Sequence, residues 1–229
     1  LVLHRQNYRR TDLYYVIIMK RKHDVMLILE GTYPFNGGGV STWAHMLCNE
    51  VKNSNFTLYS INAEFESKSK YKLSENVTNV IQVPLWSPME PQEMIDYGKK
   101  YYKIISLKEK NDLEKINQVF IPIFQDLLRH IFSNNRDVRA FDDTIRKMWK
   151  YFQKHDYKKT MKSEPVWRTF CYMVSDLNSE SENEKVTLYD LTSGMRWIYR
   201  FLIPLSVEVP RVDVSHLTLS GFPVIPALV

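Results

Sequence analysis

The run Asp24-Val25-Met26-Leu27-Ile28-Leu29-Glu30-Gly31-Thr32-Tyr33-Pro34-Phe35-Asn36-Gly37-Gly38-Gly39-Val40-Ser41-Thr42-Trp43 decides how this chain folds. Val25 to Leu29 is apolar without a break and is bounded by Asp24 and Glu30. That is the pattern of a strand buried on both faces of a parallel sheet. Gly31 to Gly39 then reads as a loop, and Ser41 to Val51 predicts a helix whose apolar face is Trp43, Met46 and Leu47. Strand, glycine-rich loop and helix together open a Rossmann-like α/β domain.

Working outward, Phe56 to Ile61 and Val77 to Val83 predict two further short strands, joined by the polar segment Asn62 to Asn76. From Pro88 to Leu205 the periodicity turns helical, with segments at Pro91 to Leu107, Leu113 to Phe132, Val138 to Phe152, Val166 to Val174 and Leu188 to Leu202. A crossover between strands needs far less chain, so residues 88–205 predict a helical insertion. Asn178 to Lys185 has no apolar residue and reads as an exposed loop within it. Val212 to Leu217 returns to strand character, closed by Ser220-Gly221. Phe222 to Val229 carries no closing signal, so the sheet is expected to continue into a C-terminal domain absent from these residues.

Charge separates residues 1–22 from the rest. They hold six basic residues (Arg5, Arg9, Arg10, Lys20, Arg21, Lys22) against Asp12, and 25 bases and 25 acids follow. The overall charge of +5 therefore lies in this leader. The leader reads as an upstream extension with the protein proper starting at Met19, or as a basic arm for a membrane surface. A neutral body excludes a nucleic-acid partner. Cys48 and Cys171 make neither a disulfide framework nor a zinc site, and no apolar run reaches the roughly 20 residues of a membrane span. The expected location is the cytoplasm, free or peripheral to the inner face of the cell membrane. In that compartment the acceptor patterns Asn55-Phe56-Thr57 and Asn76-Val77-Thr78 carry no glycan.

Gly37, Gly38 and Gly39 lie between a buried strand and a helix start, where free N–H groups and the helix dipole attract a phosphate. A plain tight turn accounts for the same three glycines. Two phosphate motifs are excluded: G-x-G-x-x-G needs glycine where Thr42 stands, and a P-loop needs Gly-Lys-Ser/Thr where Gly39 is followed by Val40-Ser41. Glu30 is positioned to orient the loop. Trp43 reads as packing between helix and sheet, and His45 as a helix-surface residue. His216, in an apolar strand, is either a core histidine or a site residue. The helix with Tyr97, Lys99, Lys100, Tyr101, Tyr102 and Lys103 reads as a solvated face, with an acceptor groove or a dock for a membrane-associated partner as the alternatives.

Leu29-Glu30-Gly31-Thr32-Tyr33-Pro34-Phe35 followed by Gly37-Gly38-Gly39-Val40-Ser41-Thr42-Trp43 resembles the opening of PelF-type glycosyltransferases, L-E-G-T-Y-P-x-x-x-G-G-V-S-x-W. Val212-Asp213-Val214-Ser215-His216 with Ser220-Gly221 is similar to a later segment in which a strand delivers a histidine before a Ser/Thr-Gly pair. The resemblance implies the N-terminal domain of a retaining, family-four-like enzyme with paired Rossmann domains. It implies an acceptor side here, a nucleotide-sugar donor (a UDP-sugar) held by the other domain, and no essential metal or cofactor. It further implies that Gly37, Gly38, Gly39, Val40 and Ser41 lie near the donor diphosphate, that His216 contacts the donor sugar, and that Glu30 and Gly221 support them. The acceptor would be a glycan, with membrane-associated polysaccharide-synthesis proteins as partners. Gly37 is one glycine more than the family's pair, and the family's basic clamp and glutamate pair fall outside this chain, which alone should be inactive. The competing expectation is a non-catalytic Rossmann-like module in an exopolysaccharide assembly.

Overall fold

The computed structural model describes residues 22–87, 112–133, 137–178 and 186–229, with the single positions 102 and 106. The leader, the predicted helix at 91–107 and most of the loop at 178–185 lie outside them.

Four parallel strands form one sheet in the order β3-β2-β1-β4: β1 His23–Glu30, β2 Ser54–Asn62, β3 Val77–Pro84 and β4 Val214–Leu217. The first helix, α1 Gly39–Glu50, connects β1 to β2. Alternate residues of β1 enter different cores, as a doubly covered strand requires. Met26 and Ile28 face the helical insertion with Tyr59, Ile61, Ile81 and Val83. Leu27 and Leu29 face α1 with Ala44, Cys48, Phe56 and Leu58. The α/β, Rossmann-like reading with additional helices therefore holds.

After β3 come α2 Leu113–Lys115, a π-helical turn Ile116–Phe120, α3 Ile121–Phe132, α4 Val138–Phe152, α5 Tyr157–Met161, α6 Glu164–Asn178 and α7 Leu188–Leu202, which runs into a 3-10 turn at Ile203–Ser206. A short α8 Val224–Ala227 follows β4. Their apolar faces meet around Phe120, Phe124, Met148, Phe152 and Tyr157. The buried Tyr59 hydroxyl donates to the Pro204 carbonyl at 3.2 Å, and Trp149 Nε1 donates to the Val207 carbonyl at 3.1 Å. The first ties β2 to the turn after α7, and the second ties α4 to the segment that leads into β4. Satisfying such groups matters because a buried unpaired one costs about 1–3 kcal/mol.

The predicted face of α1 is corrected. Ser41, Ala44 and Cys48 are the buried residues, while Trp43 and Met46 are 42% and 59% exposed. Small side chains let the helix lie close against β1 and β2, and that contact leaves no room for an indole. α5 was not legible as a helix, being short and rich in lysine.

Candidate functional site at the end of the parallel sheet

Strand order places β4 beside β1, on the opposite side from β2. The chain thus leaves the carboxyl ends of β1 and β4 at a switch in strand order, the place where open α/β sheets bind ligands. Both segments singled out in the sequence arrive there. β1 ends at Glu30 and feeds the glycine loop, and β4 delivers His216, whose backbone is in register with Leu27.

The loop is anchored by its own backbone. Phe35 N–H and Asn36 N–H donate to the Thr32 carbonyl at 3.0 and 2.8 Å, Gly31 N–H donates to the Ile61 carbonyl at 2.8 Å, and Lys70 N–H donates to the Pro34 carbonyl at 2.9 Å. Tyr33 is fully buried beneath it, with its ring edge-on to Tyr71 at 5.2 Å. His45, expected on the surface, is half-buried and packs 5.7 Å from the Tyr33 ring and 5.1 Å from the Tyr71 ring. The Glu30 carboxylate makes no hydrogen bond among the described residues, so it does not orient the loop; partial burial raises its pKa.

Gly38 is the N-cap of α1 at φ 148°, ψ 176°, with no side-chain cap and no acidic residue in the first turn. Elsewhere among the described residues, Asp112, Asp137, Asp156 and Thr187 cap α2, α4, α5 and α7 with their side chains. Helix α1 lacks that neutralisation. Its exposed first residues, Gly39 and Val40, have N–H groups with no intrahelical partner at a positive helix end. Gly37, Gly38, Gly39 and Val40 are exposed, and a Cβ placed on any of the three glycines would touch nothing within 4 Å. Two hydroxyls of the same region, Ser41 Oγ and Thr32 Oγ1, are buried without a hydrogen-bond partner.

His216 is exposed, which removes the core-histidine alternative. Its ring lies 5.4 Å from the ring of Trp43, tilted by 46°. Trp43 is therefore less a wedge between helix and sheet than a link between the first turns of α1 and the end of β4. Thr218 N–H and Thr218 Oγ1 both donate to the Ile28 carbonyl, at 3.2 and 3.1 Å, which fixes β4 just past His216. Gly221, at φ 103°, makes the turn that follows, with Val224 N–H donating to its carbonyl at 3.1 Å. Gly221 shapes the chain after β4.

The structure thus brings Glu30, Gly37 to Ser41 and His216 to one end of the sheet. Sequence reading missed the Thr32 hydroxyl and the Trp43 contact; a hydroxyl two residues past a buried strand was the available signal for the first. Among the described residues no group of three His, Cys, Asp or Glu could hold a metal ion, and no helix is long and apolar enough to cross a membrane.

A family model described as a domain of unknown function, DUF3492, matches residues 23–229. No curated protein and no solved structure matches the chain.

Proposed function

Because the chain belongs to the DUF3492 family, whose description assigns no activity, we propose a function from its own residues: the acceptor-side domain of a retaining glycosyltransferase of PelF type. In this reading it takes part in moving a hexose from a nucleotide sugar, a UDP-sugar, to a polysaccharide or related acceptor. The observation that carries it is the uncapped, acid-free N-terminus of α1 at the switch point, where Gly38, Gly39 and Val40 are exposed.

Transfer breaks the bond between the anomeric carbon and a diphosphate oxygen, and the electron pair leaves with the diphosphate. The acceptor oxygen bonds to the same carbon on the face just vacated, and its proton passes to the departing diphosphate. Positive charge develops on the sugar ring while negative charge grows on the leaving group. Fixed N–H dipoles lower the barrier by stabilising that growing charge. Gly38 and Gly39 permit close approach of phosphate to backbone. His216 sits at the same end of the sheet and positions the sugar.

The test is incubation of the full-length protein with UDP-hexoses and a glycan acceptor, following the anomeric configuration of the product. Transfer with retention supports the reading. Hydrolysis alone, inversion, or no turnover with any UDP-hexose rejects it.

A further inference from the structure

Away from the glycine loop, a cavity of about 430 Å³ lies between α5, α6 and α7, within the size range of small-ligand sites. Met161, Lys162 and Trp167 form one wall. The other wall is a single stripe of α7, with Thr192, Met195, Arg196, Tyr199 and Arg200 at helical spacing. At Gly194 the two helices come close, since a Cβ there would stand 3.2 Å from the Phe170 ring.

Among the described residues, no acidic side chain lines this wall. Arg196 and Arg200 are one turn apart on the same face, a like-charge spacing that weakens a helix. On α4 the same spacing holds opposite charges, Asp142 with Arg146 and Asp143 with Lys147. Arg196 makes no ion pair among the described residues, and no acid among them lines the cavity. Arg200 donates from one terminal nitrogen to the Leu85 carbonyl, while its Nε is buried without a partner. Lys162 Nζ sits 5.3 Å from the Tyr199 ring centre. Beyond Arg200 the aromatic surface continues: its guanidinium lies 5.3 Å from the Trp86 ring, which meets Trp197 edge-on at 5.9 Å. Trp86 and Trp197 are 45% and 60% exposed.

Three cations with flat aromatic faces between and beside them match a ligand made of rings that carry negative charge. We propose that this cavity and its tryptophan rim bind an acidic saccharide, a chain of sugar rings bearing carboxylate or phosphate groups. Arg196, Arg200 and Lys162 take the anions, and Trp167, Trp86 and Trp197 take the ring faces. Leu85, which Arg200 reaches from the cavity, directly follows β3, at the same end of the sheet as the glycine loop. As a binding site it stands alone; as the acceptor site of the enzyme it rests on the transferase reading.

The experiment is a tryptophan-fluorescence titration of the full-length protein with trigalacturonic acid and with maltotriose, its neutral counterpart, in the absence of donor. Trigalacturonic acid should bind at least tenfold tighter, and Arg196→Gln and Lys162→Gln, both at exposed positions, should each weaken it severalfold with an unchanged melting temperature. Displacement by glucose 1-phosphate at lower concentration than by trigalacturonic acid would assign the anion to phosphate within the same proposal. Equal affinity for maltotriose, indifference to both substitutions, or equal displacement by inorganic phosphate would overturn it. With donor absent the titration reads saccharide binding alone, so a protein that binds trigalacturonic acid but transfers no hexose fails the transferase reading and not this one.

Discussion

The ring of Trp43, on the second turn of α1, lies 5.4 Å from the ring of His216 at the end of β4. The contact couples a strand-end imidazole to the helix whose N-terminus holds the glycines. An aromatic pair of this kind contributes about 0.5–1.5 kcal/mol, small beside the effect expected on a ring that must be held in one orientation. Trp43→Ala should lower transfer about tenfold with little change in melting temperature, and Trp43→Phe should restore most of it. Failure of phenylalanine to rescue would remove Trp43 as a positioning residue.

Gly38 and Gly37 separate two roles of glycine. Gly38 has a backbone conformation that other residues adopt only under strain of about 1–3 kcal/mol, whereas Gly37 has no such φ, and neither has a neighbour within 4 Å of an added Cβ. In urea unfolding, Gly38→Ala should lose stability in that range and Gly37→Ala should lose little. Equal losses would contradict the assigned backbone.

Ser41 tests the packing of α1 against the sheet. Its hydroxyl is buried with no partner, so it contributes nothing to the fold that an alanine would lose. Ser41→Ala should match or exceed the wild type in melting temperature and leave the KM for the UDP-sugar within twofold. A destabilised Ser41→Ala protein would show that the hydroxyl supports the fold.

Alkaline pH should destabilise the fold. Burial pushes Cys48 up to about 12 from an ordinary 9.0, and Tyr33 up to about 12 from 10.0. Both groups stay protonated in the folded chain after the unfolded chain has lost its protons, so the unfolded state binds fewer protons and stability falls as pH rises. The loss should begin near pH 9 and continue to about 12. Cys48→Ala should flatten the lower part of that curve. The Cys48 thiol should also resist alkylation at neutral pH until the protein unfolds.

Much of the fold was legible because buried parallel strands are written as unbroken apolar runs. Val25 to Leu29 could hardly be anything else, and the 3.6-residue period of Val138 to Phe152 and Leu188 to Leu202 matches α4 and α7 residue for residue. The face of α1 was misread because hydrophobicity was weighed without size: the close contact selected Ser41, Ala44 and Cys48 over Trp43 and Met46. His216 was ambiguous for a related reason. Its flanking valine and leucine look like core, yet in this structure Val214 and His216 are both exposed. The saccharide cavity left no motif, since the stripe from Thr192 to Arg200 has the spacing of any amphipathic helix and only the placement of α5 and α6 makes it a wall.

The most direct test of the proposed transfer site is the rate of hexose transfer from UDP-sugar by full-length His216→Ala, measured beside its melting temperature. With an exposed ring and no hydrogen bond shown for its side chain, His216→Ala should melt within a degree or two of the wild type while kcat falls about a hundredfold, the scale of one lost transition-state contact. A kcat within twofold of wild type would contradict the account.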